Sequence, residues 1–119
     1  MSIVSGTQLK IIEEACEAIL TFTEDVEPDD FFKSKITQRE VTRQITIICE
    51  TCENLAYDLK VKMAEIDWAG WNILLVQRKS TGGYERDALW FAVRSLVPAT
   101  IMWLRVFKKN MPEMFSMTA

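Results

Sequence analysis

The chain has 119 residues, 49% of them hydrophobic and 26% charged, with a formal net charge of −3 and a pI near 5.0. That length suits a single domain over 1–119 with one buried core, and four Trp with six Phe exclude a disordered chain. The acidic balance argues against non-specific nucleic-acid binding, and the complete absence of His removes the commonest general acid–base and the commonest metal-binding ring.

Three cysteines, Cys16, Cys49 and Cys52, form an odd set. Glu13, Glu14 and Glu17 near the start do not fit a signal or transit peptide. The longest uncharged runs, 68–77 and 95–104, fall short of the ~20 residues that cross a bilayer. The sequence therefore reads as cytoplasmic, with reduced thiols and no membrane partner.

Residues 7–23 place Leu9, Ile12, Cys16, Ile19 and Leu20 on one helical face, with Lys10, Glu13, Glu14 and Glu17 opposite. The acidic stretch 24–30 ends that helix. A second helix is expected to start at a Thr37-Gln38-Arg39-Glu40 capping box. Val41, Ile45, Ile48, Cys52, Leu55 and Leu59 then alternate steps of four and three, predicting one helix of at least five turns. A third helix is predicted from an Asp67 N-cap to about Lys79, ended by Gly82-Gly83. Its 73–76 run, for which a strand is the competing reading, is apolar on nearly all sides and should be covered all round, in part by another subunit. The last long helix, from after Tyr84 to about Lys109, should be kinked or divided near Pro98. Residues 110–119 read as a loose tail. The fold class is all-α, an up-and-down antiparallel bundle of four or five helices.

Several motifs invite chemistry and do not support it. Cys49-x-x-Cys52 lies within a helix, and only Cys16 remains as a further metal ligand, so buried thiols are the better reading and no metal is assigned. Gly82-Gly83 is too short to cradle a phosphate, and no cofactor is assigned. Arg39 and Arg43 are one helical turn apart and read as solvated. The four Trp read as core or subunit interface.

Taken in order, three segments resemble the HEPN superfamily, and within it the HepT-like ribonuclease toxins, also described as nucleotidyltransferase substrate-binding subunits. Arg43-Gln-Ile-Thr-Ile-Ile-Cys-Glu50 is similar to the family pattern Arg-Asn-Leu-x-x-Ile-Gly-Glu. Trp68-Ala-Gly-Trp-Asn-Ile-Leu-Leu-Val resembles its Trp-x-x-Ile-x-x-Met-Arg-Asn-x-Leu-x-His segment, slightly shortened. Leu89-Trp90, Val93 and Val97-Pro98 resemble its Val-Trp-x-x-Val-x-x-x-Leu-Pro helix. The resemblance implies a bundle paired across a two-fold axis, as in toxin–antitoxin systems. It also implies a metal-free RNA-cleaving cleft made by an Arg and, after four residues, a His, with a modifiable Tyr two residues further on. Aligned on Asn72, those three positions hold Trp71, Val76 and Arg78. Val76 can neither take nor give a proton, and Trp71 lacks the charged fork of Arg.

The expected function is therefore that of a pseudoenzyme: a homodimer, with a small nucleotidyltransferase or an active HEPN relative as possible partner. The candidate binding cleft comprises Arg43, Glu50, Trp68, Trp71, Asn72 and Arg78. Two alternatives stay open. One is a divergent ribonuclease using Glu50 as base and Arg43 or Arg78 as anion clamp. The other is a nucleotide- or small-molecule-binding domain with a Trp-lined cleft.

Overall fold

The computed structural model describes residues 3–115. Among them every regular element is helical: α1 (Ile3–Thr23), α2 (Pro28–Lys33), α3 (Lys35–Glu53), α4 (Tyr57–Lys62), α5 (Trp68–Thr81), α6 (Arg86–Phe91), a π-turn (Ala92–Leu96), α7 (Val97–Asn110) and a closing 3-10 turn (Pro112–Phe115). Four long segments carry the bundle, as the periodicity predicts, and α2 and α4 are short helices added in the connections.

Directions follow from the side chains that meet. The Gln8 amide of α1 donates to the Asn54 carbonyl just past α3. Lys108 and Arg105 of α7 reach back to Glu13 and Glu17 of α1. Thus α1 runs antiparallel to both α3 and α7, with α5 packed on the other side of α3. Leu9, Ile12, Cys16 and Ile19 meet Val41, Ile45, Ile48 and Cys52 in one core. Removing each large aliphatic side chain from water contributes about 1.5–3 kcal/mol.

Helix boundaries depart from expectation in two places. Ser34, not Thr37, caps α3: its hydroxyl oxygen accepts from the Thr37 N–H at 3.3 Å. A Ser three residues upstream offers the same chemistry, and it is placed because the α2 C-terminus ends on it. The long apolar seam is also not one helix. The backbone leaves α3 at Asn54 and restarts at Tyr57, yet Leu55 and Leu59 remain buried. Their period continues across the break by coincidence of packing.

Near Pro98 the last long helix is divided as expected. Pro98 has no N–H for the Arg94 carbonyl, and the preceding turn widens so that the Val97 N–H reaches Ala92. Arg86–Asn110 as a whole is long and apolar enough to cross a membrane by length and composition. Its apolar side, including Leu89, Val93, Leu96, Ile101 and Leu104, lies in the core, and Arg94 and Arg105 lie on its outer side. It is a core helix.

The loose tail expected from Asn110 is corrected up to Phe115. There the 3-10 turn packs on α1 and α7 and buries Met114. Residues 116–119 lie outside the described residues.

Candidate functional site

α5 is the element on which the sequence places its candidate chemistry. Asp67 caps it as predicted, its carboxylate accepting from the Gly70 N–H at 2.9 Å. Gly82 ends it in the left-handed conformation at φ 84°, where a side chain would be strained. A side chain at residue 70 would sit 2.7 Å from the Asp67 carboxylate and 3.2 Å from Leu96, so glycine lets the helix start approach the π-turn closely.

The helix has two faces. Trp71, Leu74 and Leu75 turn inward. Trp71 is fully buried, its indole N–H donating to the Thr100 hydroxyl at 3.0 Å, while its carbonyl accepts from the Cys49 thiol at 3.6 Å. The expectation that Trp71 lines a binding cleft is therefore corrected. An indole is large and apolar, and this one completes the core between α3 and α7 instead.

Ala69, Asn72, Ile73 and Val76 turn outward. Ile73 is 66% exposed and Val76 53% exposed. Covering of the 73–76 run on all sides thus does not occur within one chain, because only Leu74 and Leu75 of its four residues face the core.

The remaining candidate residues divide into separate settings. Arg78 meets Glu50 across the α3–α5 seam at 3.4 Å, and Lys79 meets Glu53 beside it at 2.5 Å. Arg43 does not join them; it grips Glu40 one turn back at 2.5 Å, and this pairing, with a Gln44 hydrogen bond, holds the Glu40 carboxyl below its ordinary range. Trp68 is half-buried and donates to the Met63 carbonyl at 3.0 Å. Asn72 and Trp68 border a hollow of about 20 Å³, room for one water and no ligand.

The four indoles share no cleft. Trp90 packs against Phe31 and Phe32 beneath the Arg94 guanidinium, 4.6 Å above its ring, and Trp103 stacks on Phe107.

Two features escape sequence reasoning. The Tyr84 hydroxyl shares a 2.8 Å hydrogen bond with Thr46, closing the α5–α6 connection onto α3. Burial pushes the Tyr84 phenol up to about 12, with the Thr46 bond opposing the shift. An open apolar groove of about 560 Å³ also lies between Tyr57, Val61, Ile66, Trp68 and Ala69. The Tyr57–Val61 spacing is a helical signal, hidden by reading the α3 seam through Leu59. Beyond Ala69 the groove continues as the Ile73–Val76 face, one helical turn away.

Burial pushes the Cys49 thiol up to about 11 and Cys52 up to about 12, and Cys16 further still. Protonated, buried thiols are poor nucleophiles and poor ligands. Among the described residues no cluster of acidic residues and cysteines has the arrangement to hold a metal ion.

Comparison with known proteins adds a family. The model described as ribonuclease HepT-like matches residues 12–80. A protein of Methanocaldococcus jannaschii named as a gamma-glutamylcyclotransferase and, provisionally, an RNase is 33% identical over 93 residues, covering 76% of this chain and 41% of that protein. A second protein of the same organism, named provisionally as an RNase, is 37% identical over 59 residues, covering 50% of this chain and 49% of that protein. The chain thus spans less than half the length of the curated relatives it matches. No solved structure matches it at a significant level.

Proposed function

The chain belongs to the HepT-like ribonuclease family, and on that premise we propose that it is a non-catalytic member acting through protein–protein contact. The observation that carries this reading is the outer face of α5. In the segment similar to the family's cleft-bearing motif, Ile73 and Val76 stand exposed, Trp71 is sealed in the core, and no imidazole exists anywhere in the chain. Cleavage through a 2′-hydroxyl needs a proton acceptor, a proton donor for the leaving oxygen and positive charge on the developing phosphorane. Val76 supplies none of these. An exposed aliphatic face continuous with the Tyr57–Val61 groove is instead suited to excluding water against another protein surface.

In this reading α5 pairs with α5 of a second copy, and the assembled surface docks a small nucleotidyltransferase or an active HEPN relative. Light scattering tests it. The purified chain is expected to self-associate at micromolar concentration, Ile73→Glu with Val76→Glu to lose the step of that association made by α5, and neither to digest single-stranded RNA. A monomeric parent chain that degrades RNA removes the proposal.

One observation favours a second reading, that of a divergent ribonuclease. Glu50 and Arg78, an acceptor and a cation, meet at 3.4 Å on the partly exposed α3–α5 seam, and both relatives carry RNase in their names. RNA cleavage by the parent chain that vanishes in Glu50→Gln and in Arg78→Ala supports this reading against the first.

A further inference from the structure

The corner formed by the end of α1, the turn, α2 and the start of α3 holds a concentration of unpaired charge. Glu24, Asp25, Glu27, Asp29 and Asp30 are five carboxylates within seven residues. Lys33, Lys35 and Arg39 follow within the next nine. Among the described residues none of these eight forms an ion pair, whereas Glu13 and Glu17 pair with Arg105 and Lys108, Glu50 with Arg78, and Glu53 with Lys79. Arg94, the cation bordering the hollow with Glu24 and Asp25, is directed to the Val26 carbonyl and the Trp90 ring instead.

The same corner carries exposed apolar surface. Phe22, 44% exposed, and Ile36, 79% exposed, line a groove of about 470 Å³ with Thr37, Arg39 and Glu40. Glu40 is already neutralised by Arg43, so the free charge on this rim is Arg39, with Lys35 beside Ile36. The corner therefore presents an apolar groove with Arg39 on its rim, and two residues beyond Phe22 along the chain the acidic turn begins.

A surface carrying both halves of a complementary set can pair with itself across a two-fold axis, where residue i meets j and j meets i. We infer that the Phe22–Ile36 corner is a second assembly face, occupied by another copy of this chain, with the acidic 24–30 segment of each copy against Lys35 and Arg39 of the other. It is distinct from the α5 face and does not depend on it. Two separate two-fold faces on one chain produce assemblies larger than a dimer.

The test is light scattering of the full chain across a concentration series, with circular dichroism to confirm that each variant stays folded. Ile36→Glu, the pair Lys35→Glu with Arg39→Glu, and the pair Glu24→Lys with Glu27→Lys are each expected to weaken assembly at this face at least tenfold. Glu27 makes no side-chain cap hydrogen bond, so its reversal removes no cap. Mixing the two charge-reversed chains is expected to restore association between them, because one now offers a mostly acidic corner and the other a mostly basic one. Repeating the series with Ile73→Glu and Val76→Glu present isolates this corner: loss of α5 pairing there leaves the Ile36 dependence in place. Masses unchanged by Ile36→Glu and by both reversals overturn the inference, as does failure of the two reversed chains to associate.

Discussion

The Trp71 indole N–H ends on the Thr100 hydroxyl at 3.0 Å, with both side chains sealed from solvent. This bond ties the inward face of α5 to α7 and makes Trp71 a structural residue. Thr100→Val keeps the volume and leaves the buried N–H without an acceptor, which costs about 1–3 kcal/mol. Urea denaturation measures it. Replacing Trp71 by Arg costs more, since an unpaired charge would enter the core. The double change Trp71→Arg with Val76→His is therefore expected to give an unstable chain with no gain in RNA cleavage.

Gly70 lies where the start of α5 meets the π-turn. A Cβ there would sit 2.7 Å from the Asp67 carboxylate oxygen and 3.2 Å from Leu96. Gly70→Ala should displace the cap, and losing an Asp cap costs about 0.5–2 kcal/mol. The gain in helix propensity from Ala, close to ~1 kcal/mol, opposes it. Asp67→Ala, which removes the cap with no such gain, is expected to lower the thermal midpoint more than Gly70→Ala does. The reverse order would show that the Leu96 contact dominates.

Much of this architecture is legible in the residues. The seam Val41, Ile45, Ile48, Cys52 and the face Leu9, Ile12, Cys16, Ile19 are buried where a 3.6-residue period places them. Asp67 caps and Gly82 terminates α5 through chemistry local enough to read directly. The break at Asn54 is not local: Leu55 and Leu59 keep the helical period while the backbone turns, so the pattern carries no sign of the interruption. The candidate cleft fails for a related reason. In 71–76, a run apolar but for Asn72, periodicity cannot tell inward from outward positions, and packing sends Trp71, Leu74 and Leu75 in and Ile73 and Val76 out. Arg43 and Arg78 read alike in the sequence, yet each closes on the nearest carboxylate, Glu40 in one case and Glu50 in the other.

The thiols predict an alkaline limit to stability. Burial raises Cys49 from an ordinary value of 9.0 to about 11, Cys52 from 9.0 to about 12, and Tyr84 from 10.0 to about 12. Each group is an acid whose neutral form the fold prefers, so the unfolded chain loses these protons first as pH rises. The contribution is fully present below pH 9, declines from there and is gone by about pH 12. Denaturation midpoints are expected to be flat from pH 7 to 8.5 and to fall above 9. Substituting Cys49 and Cys52 by Ala should flatten the fall, and a fall of unchanged steepness would exclude these two thiols as its cause.

Glu13 is the acidic side chain on which α1 and α7 converge. It is 12% exposed and meets Lys108 at 3.3 Å and Arg105 at 3.8 Å, while Glu17 takes the other side of Arg105 at 3.1 Å. The two cations remain more than half exposed, so water screens each pair and a single surface bridge contributes only about 0–1 kcal/mol. The near-burial of Glu13 raises the stake on its side of the network, because a carboxylate left without cations is poorly solvated. Removing the cations should therefore be worse than removing the acid. Arg105→Ala with Lys108→Ala is expected to destabilise the chain more than Glu13→Gln, with the difference shrinking in high salt as solvent-facing attraction is screened. Urea midpoints of these variants at low and high salt decide it, and a larger loss in Glu13→Gln would mean that the carboxylate holds the two helices through its hydrogen bonds and not through its charge.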